Sequence, residues 1–256
     1  MLLSRNGLHR WDSLYTSEDF LHWRPGEIVM HADIDDRPGD EIYSMAVFPY
    51  EGLYIGLIQM YHAFPGDNTL DIQLAVSRDA IRWQRVGNRE AFLPLGGIGE
   101  WDRFNQSLAS SPVMAGDDLR FYYGGRTWRH PILGKPFPRA DSGPRWSGIG
   151  MATVKRDRLV YLSASFDGGY AETPALVLPD GRLHVNTQSR FGTLRVTVYD
   201  GEGQPLAGGE SKPISEDTLD AVVEWDDASL MELAKEGSVR FRFELKNAKL
   251  YSFWID

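Results

Sequence analysis

Two stretches of this chain gather carboxylates, amides and aromatic rings closely enough to do chemistry. The first is Asp40-Glu41-Ile42-Tyr43-Ser44-Met45, and the second is Gly99-Glu100-Trp101-Asp102-Arg103-Phe104-Asn105-Gln106. Glu41 beside Tyr43, and Asp102 beside Trp101, would present a carboxylate together with a ring that can stack on the apolar face of a sugar. Glycosidic cleavage needs such a set: one carboxylic acid protonates the leaving oxygen, and a second carboxylate acts as base or nucleophile. A plainer reading competes, because Asp and Glu at the start of a strand commonly cap turns or sit in water.

Further polar groups fall where they could converge with these. His62 ends one strand-like run and Asp71 begins the next. The pair could face a ligand or a cation, and a hydrogen bond closing the hairpin accounts for it equally well. Arg126, Trp128 and His130 open a long insertion suited to covering a substrate and holding hydroxyls or a carboxylate. Its Pro-rich middle, Pro131 to Pro144, reads equally as a surface excursion. Asn105 completes the candidate binding set with Tyr43, His62, Asp71, Trp101, Arg126, Trp128 and His130; Glu41 and Asp102 are the catalytic candidates. No two of the six histidines stand at ligand spacing, so no metal and no other cofactor is expected. No nucleophile-elbow sequence supports Ser-His-Asp hydrolysis.

The elements that must position these residues are strands. A turn repeats: Ser77-Arg78-Asp79 with Trp83 four residues past the aspartate, and Ser17-Glu18-Asp19 with Trp23 at the same spacing. A degenerate third copy has Asp157 and Tyr161. Asp19 and Asp79 lie 60 residues apart and Asp79 and Asp157 lie 78 apart, with the excess in the 126–146 insertion. Ser and Asp accept backbone N–H bonds in a tight turn while Trp packs between sheets, so the repeated residues need no role beyond fastening. Strand-like runs at Tyr43–Phe48, Leu53–Tyr61, Leu70–Val76 and Ile81–Val86 form one four-stranded unit, with turns at Pro49–Gly52, Phe64–Asp67 and Ser77–Asp79. A second unit is drawn from Leu108–Met114, Leu119–Gly124, Gly148–Val154 and Leu159–Ser163. Leu8–Thr16 is a leading strand with no room before it for partners. Four strands per repeat at such periods is the signature of a β-propeller.

After Ser163 the pattern changes. Strands are expected at Ala175–Leu178, Leu183–Thr187, Thr193–Tyr199, Ala221–Trp225, Val239–Leu245 and Leu250–Ile255, with one helix at Ser229–Lys235. The last two strands read as a closing hairpin whose Val239, Phe241, Phe243 and Leu245 face a core, while Arg240, Arg242 and Glu244 face water. The expected fold is therefore all-β: a partial β-propeller over 1–163, with about two complete four-stranded blades plus a leading strand, followed by a β-sandwich over 164–256.

Composition narrows the partners. Acidic residues outnumber basic ones 36 to 27, giving a net charge of −9, which argues against a nucleic-acid face. No apolar run approaches the roughly 20 residues that span a bilayer, so no membrane partner is expected. The N-terminal MLLSRNGLHRW lacks the apolar stretch of about 7–15 residues that a secretory signal needs. Cysteine is absent, which removes disulfides and thiolate chemistry and leaves the compartment undecided.

The repeated turn, the runs Tyr43–Tyr50 and Leu70–Ser77, and Phe121-Tyr122-Tyr123-Gly124-Gly125 resemble the five-bladed β-propeller glycoside hydrolases related to families 32 and 43. Gly148–Ala152 and Leu245–Leu250 resemble the β-sandwich that follows the propeller in many members. The resemblance covers nearly the whole chain and implies a carbohydrate ligand. It also implies three acidic residues from successive blades: a base or nucleophile in the first, an auxiliary aspartate in the second and a general acid in the third. By that likeness the chain starts about midway through the propeller and lacks the first carboxylate. Glu41 then maps to the general acid, and Asp71 and Asp102 to substrate positioning. The open flank of a half-propeller implies homo-oligomerisation or a missing N-terminal propeller half. A non-catalytic carbohydrate-binding or assembly module is the alternative.

Overall fold

The computed structural model describes residues 2–5, 10–63, 67–109, 111–130, 146–235 and 237–256. It is all-β, and the chain divides within one strand into two compact units, Met1–Thr153 and Val154–Asp256.

In the first unit, β1 (Leu2–Arg5), β2 (Asp12–Thr16) and β3 (Arg24–Met30) form an antiparallel sheet in chain order. The expected leading strand is thus the middle of three: Leu2 to Arg5 pairs with Tyr15 to Asp12, so residues ahead of it do provide a partner. A meander follows, β4 (Asp40–Tyr50), β5 (Leu53–His62), β6 (Thr69–Ser77) and the short β7 (Gln84–Arg85), each antiparallel to the one before. This is the four-stranded blade read from the sequence. Its β5 is covered on both faces, from Ile55 through His62, so it shows no alternation of polar and apolar residues. Glu51 and Gly52 both take positive φ in the β4–β5 turn, where glycine is the residue that tolerates it.

The repeated turn is built twice in the same way. Asp79 Oδ1 accepts from the backbone N–H of Ile81 and Arg82 at 2.9 and 2.7 Å, and Trp83 Nε1 donates to Ala80 O at 3.0 Å. Asp19 accepts from Leu21 and His22, and Trp23 donates to Phe20 O. Ala80 and Phe20 share the same left-handed φ, 60° and 65°. At the third copy the chain makes a plain turn, with Arg158 N donating to Lys155 O and Tyr161 packing edge-on against Tyr251.

A second meander comprises β8 (Asn105–Leu108), β9 (Val113–Ala115), β10 (Asp118–Arg126) and β11 (Ser147–Lys155). Strands β8 and β9 both pair with β10, which neighbours β11, and one parallel bridge, Leu70 to Asn105, links this meander to the first. The expected first strand, Leu108–Met114, is divided between β8 and β9, and Leu159–Ser163 does not join this sheet. Those residues run into β12 (Leu162–Ala164), which pairs with the last strand of the chain instead.

The second unit continues with β13 (Gly169–Glu172), β14 (Leu183–Gln188), β15 (Thr193–Asp200), β16 (Pro205–Glu210), β17 (Asp217–Val222), α1 (Leu230–Leu233), β18 (Val239–Lys246) and β19 (Ala248–Ile255). Two four-stranded sheets result, in the orders β12-β19-β14-β17 and β13-β18-β15-β16. Leu183, Val185, Leu194, Val196, Val198, Phe241 and Phe243 form one buried core with both sheets contributing. The alternation predicted for β18 holds, with Val239, Phe241, Phe243 and Leu245 inside. The closing hairpin does not: β18 and β19 lie in different sheets, joined by a corner at Asn247 with φ 46°. Crossing lets the apolar face of each strand meet the other through the core, whereas a flat hairpin would set both on one side of one sheet. Ala175–Leu178 contributes only a single bridge, Leu176 to Val239, while β13 and β16 were not expected. Ser229 caps α1, accepting from Glu232 N while Glu232 Oε2 accepts from Ser229 N.

Candidate functional site

The start of β4 divides its polar residues between two faces of the blade, because neighbours along a strand point opposite ways. Asp40 pairs with His62 and Glu41 with Tyr61.

On the Asp40 face, His62 stands between two carboxylates. Its Nδ1 is 2.9 Å from Asp40 Oδ1 and its Nε2 is 2.9 Å from Asp71 Oδ2. Neutral imidazole can donate from only one nitrogen, so this geometry calls for imidazolium. Burial works against the charge, and the hydrogen bonds and charges of Asp71 and Asp40 overcome it, raising the His62 pKa. The other oxygen of Asp71, Oδ1, is buried without a partner. These groups line a cleft of about 460 Å³ with Arg37, Asp67, Thr69, Gln73 and Arg89. Arg37 bridges Asp40 and Asp67, both at 3.3 Å. Below it Asp36 and Arg85 form an ion pair at 2.6 Å with both side chains 5% exposed, and Arg85 also donates to Gln73. Removing one partner of so buried a pair costs about 3–5 kcal/mol. Arg89 holds Asp33 at 2.6 Å, keeping that carboxyl in the lower part of the carboxylate range.

On the Glu41 face the partners are aromatic. A bulge between Ile42 and Ser44 leaves Tyr43 unpaired in the ladder and turns it toward Tyr61 and His130. The Tyr43 hydroxyl lies 3.2 Å from His130 Nε2, and the Tyr61 and His130 rings are 4.8 Å apart. Arg10 reaches across from the N-terminal sheet, its guanidinium 4.7 Å from the Tyr61 ring centre and bonded to Glu41. His130 N donates to Asn68 O at 2.8 Å, which fixes the start of the insertion here.

No protein-family model matches this chain, and no curated protein matches it. Solved structures do. The chain is similar to an N-acetylgalactosamine deacetylase from F. plautii in complex with blood group B trisaccharide, with a TM-score of 0.42 and 19% identity over 58% of this chain and 42% of that one. It therefore spans less than half the length of that enzyme. A family 117 glycoside hydrolase of the marine bacterium Zobellia galactanivorans gives a TM-score of 0.42 and 13% identity, over 92% of this chain and 70% of that one. A GH32 β-fructofuranosidase of Bombyx mori gives 0.31 and 12%, over 96% and 61%.

The remaining sequence candidates gather elsewhere in the first unit. Asp102 is buried and accepts from the Tyr123 hydroxyl at 2.8 Å and from Gln106 at 3.4 Å. Burial and that bond push the tyrosine pKa up to about 12, so it stays a donor. Trp101 stacks on Tyr123, 5.5 Å between ring centres. Glycines make room: a Cβ on Gly125 would sit 2.5 Å from Asp102 Cβ, and one on Gly150 would sit 2.8 Å from Trp101. Asn105 is buried at the bridge to Leu70, and Arg126 lies 5.6 Å over Trp128. Among the described residues no bond joins Asp102 to Glu41. The proposed covering loop, Pro131 to Pro144, lies outside the described residues.

Most of the cleft lining, Arg37, Asp67, Thr69, Gln73 and Arg89 among it, escaped the sequence reading, as did Asp40, Arg10 and Asp12. Asp40 differed from Glu41 only in facing the other way, which strand alternation could have flagged. Arg10 had no signal, since its partner is a sheet away. Asp12 is buried at the start of β2 with Oδ2 unbonded, and burial pushes its carboxyl up to about 6.

Proposed function

We propose that this is a carbohydrate-active protein of glycoside-hydrolase type that holds a glycoside in the cleft over Asp40, His62 and Asp71. One observation carries the reading: the His62 ring is held between two carboxylates in the cleft wall, and Asp71 keeps one oxygen unbonded. The carboxylates, guanidiniums and threonine hydroxyl that line the cleft suit a polyhydroxylated ligand, whose every hydroxyl both donates and accepts. His62 spends both ring nitrogens on Asp40 and Asp71 and so orients those carboxylates, leaving Asp71, with its Oδ1 unbonded, as the candidate acid or base. Glu41, Tyr43 and His130 form a separate cluster on the opposite face of the sheet, and Asp102 supports the neighbouring meander from within.

Binding without cleavage is the second reading. It is favoured by the engagement of the carboxylates, Glu41 with Arg10, Asp40 with His62 and Arg37, and Asp102 with Tyr123. The experiment is a panel of aryl-glycosides and a glycan array on the purified chain, run with Asp71→Asn, His62→Gln and Glu41→Gln variants. Turnover that falls roughly 100-fold or more in Asp71→Asn is expected for a catalytic carboxylate. Binding weakened at least tenfold by Asp71→Asn, with no turnover, supports the second reading. No sugar bound or cleaved by the parent chain would sink both.

A further inference from the structure

We infer that the β-sandwich carries a binding site of its own for an anionic saccharide, a sugar bearing a carboxylate or sulfate. The site begins as a row across one sheet. Ser163 pairs with Lys249, Lys249 with Gln188, and Gln188 with Asp217, so the row crosses β12, β19, β14 and β17 in register. Ala248 and Leu250, on either side of Lys249, are buried in the core, so Lys249 and its row face outward.

Two turns raise a wall at the end of this row. Arg190 and Phe191 lie between β14 and β15, and Asn247 at the sheet-crossing corner donates from Nδ2 to Phe191 O at 2.8 Å. The cleft so formed has a volume of about 380 Å³, within the range of small-ligand sites.

Its chemistry is unlike that of the first unit. Asp217 is answered by Arg158 at 2.6 Å. Arg190 and Lys249 have no carboxylate within ion-pair distance among the described residues, and both line the cleft. Arg158, Arg190 and Lys249 stand around one carboxylate, Asp217, whose pKa Arg158 and Arg190 help lower, with Lys249 Nζ 4.2 Å over the Tyr161 ring, so in a chain of net charge −9 the cleft carries a local positive field. Arg190 offers the planar fork that fits a carboxylate or sulfate, and Lys249 adds a point charge. Phe191 is 79% exposed, with the Arg190 guanidinium 5.7 Å from its ring centre, so an apolar face is held beside the cations and in water. The amides of Gln188 and Asn247 supply groups for hydroxyls. Ring, amides and paired cations together fit an acidic sugar better than a simple anion, which would have no use for Phe191. The saccharide class rests on the function proposed above; the requirement for negative charge rests on this cleft alone.

The test is calorimetric and NMR titration of the full chain with a galacturonic acid trisaccharide, a sulfated galactose disaccharide, their uncharged galactose counterparts and inorganic sulfate. The charged sugars should bind at least tenfold tighter than the neutral ones, and their affinity should fall several-fold between low and high salt. Arg190→Ala, Lys249→Gln and Phe191→Ala should each weaken them about tenfold or more with unchanged melting temperature, whereas Asp71→Asn should not. Equal binding of charged and neutral sugars, indifference to the three variants, or no binding of any charged probe overturns the inference. Sulfate binding as tightly as the sulfated sugar removes its saccharide part. If neutral sugars bind and depend on Asp71 while charged sugars ignore Arg190, this inference fails and the cleft of the first unit stands.

Discussion

His62 and Asp71 stand diagonally across β5 and β6, with Nε2 and Oδ2 2.9 Å apart, while Asp40 holds the opposite nitrogen of the same ring at the same distance. The folded pKa of His62 is raised, so the stabilisation is fully present below the unfolded value of 6.5 and is lost as pH rises through the folded one. Each unit of elevation corresponds to about 1.4 kcal/mol. Urea unfolding of the parent chain should show stability declining above pH 6.5, and His62→Gln should remove that slope. An identical slope in both proteins would assign it to other groups.

Asp12 works in the opposite sense to a paired carboxylate. Its folded pKa of about 6 exceeds the ordinary 3.8, so the native state binds more protons and stability falls as pH rises from about 4 to 6. The two-unit difference corresponds to roughly 3 kcal/mol at most. Asp12→Asn should therefore stabilise the chain at pH 7 by up to that amount and confer no gain at pH 3.5, as read from denaturation midpoints at both values.

Gly125 gives Trp101 and Asp102 their room. Gly125→Ala places a methyl 2.6 Å from the Trp101 ring and 2.5 Å from Asp102 Cβ, so the indole must move off Tyr123. Overpacking of this kind costs about 1–3 kcal/mol. Thermal unfolding should report the loss, and near-ultraviolet circular dichroism should show a changed tryptophan signal.

Self-association remains our proposal. Strand β11 ends the larger sheet of the first unit, and Ile149 and Met151 on it are 84% and 51% exposed. An open strand carrying apolar side chains is a pairing site. Light scattering at micromolar concentration should give a mass above one chain, and Ile149→Lys with Met151→Lys should return it to a monomer.

Much of the strand order was legible because local chemistry dictates it. The blade β4 to β7 follows from turns that contain their own hydrogen bonds: Asp79 caps the N–H groups two and three residues on, and Glu51-Gly52 supplies the φ values its hairpin needs. Alternation in β18 followed from Phe241 and Phe243 having one core to face. Reading failed where the partner was distant. Leu162–Ala164 carries the same apolar content whether it finishes a blade or joins β19, and only the competing edge decides. The β18–β19 corner looks like a hairpin turn because Lys246-Asn247-Ala248 suits both.

The candidate site divides in the same way. Sequence alone determined which residues lie near the start of β4 and the end of β5, since strand spacing puts Glu41, Tyr43 and His62 there. It could not determine that Asp40 and Glu41 serve opposite faces, that Arg10 crosses between sheets to Glu41, or that Asp102 turns inward to Tyr123. Those outcomes depend on register and on which sheet covers which face. Shifting a strand by one residue exchanges its two faces, and nothing in a local run of residues records that choice.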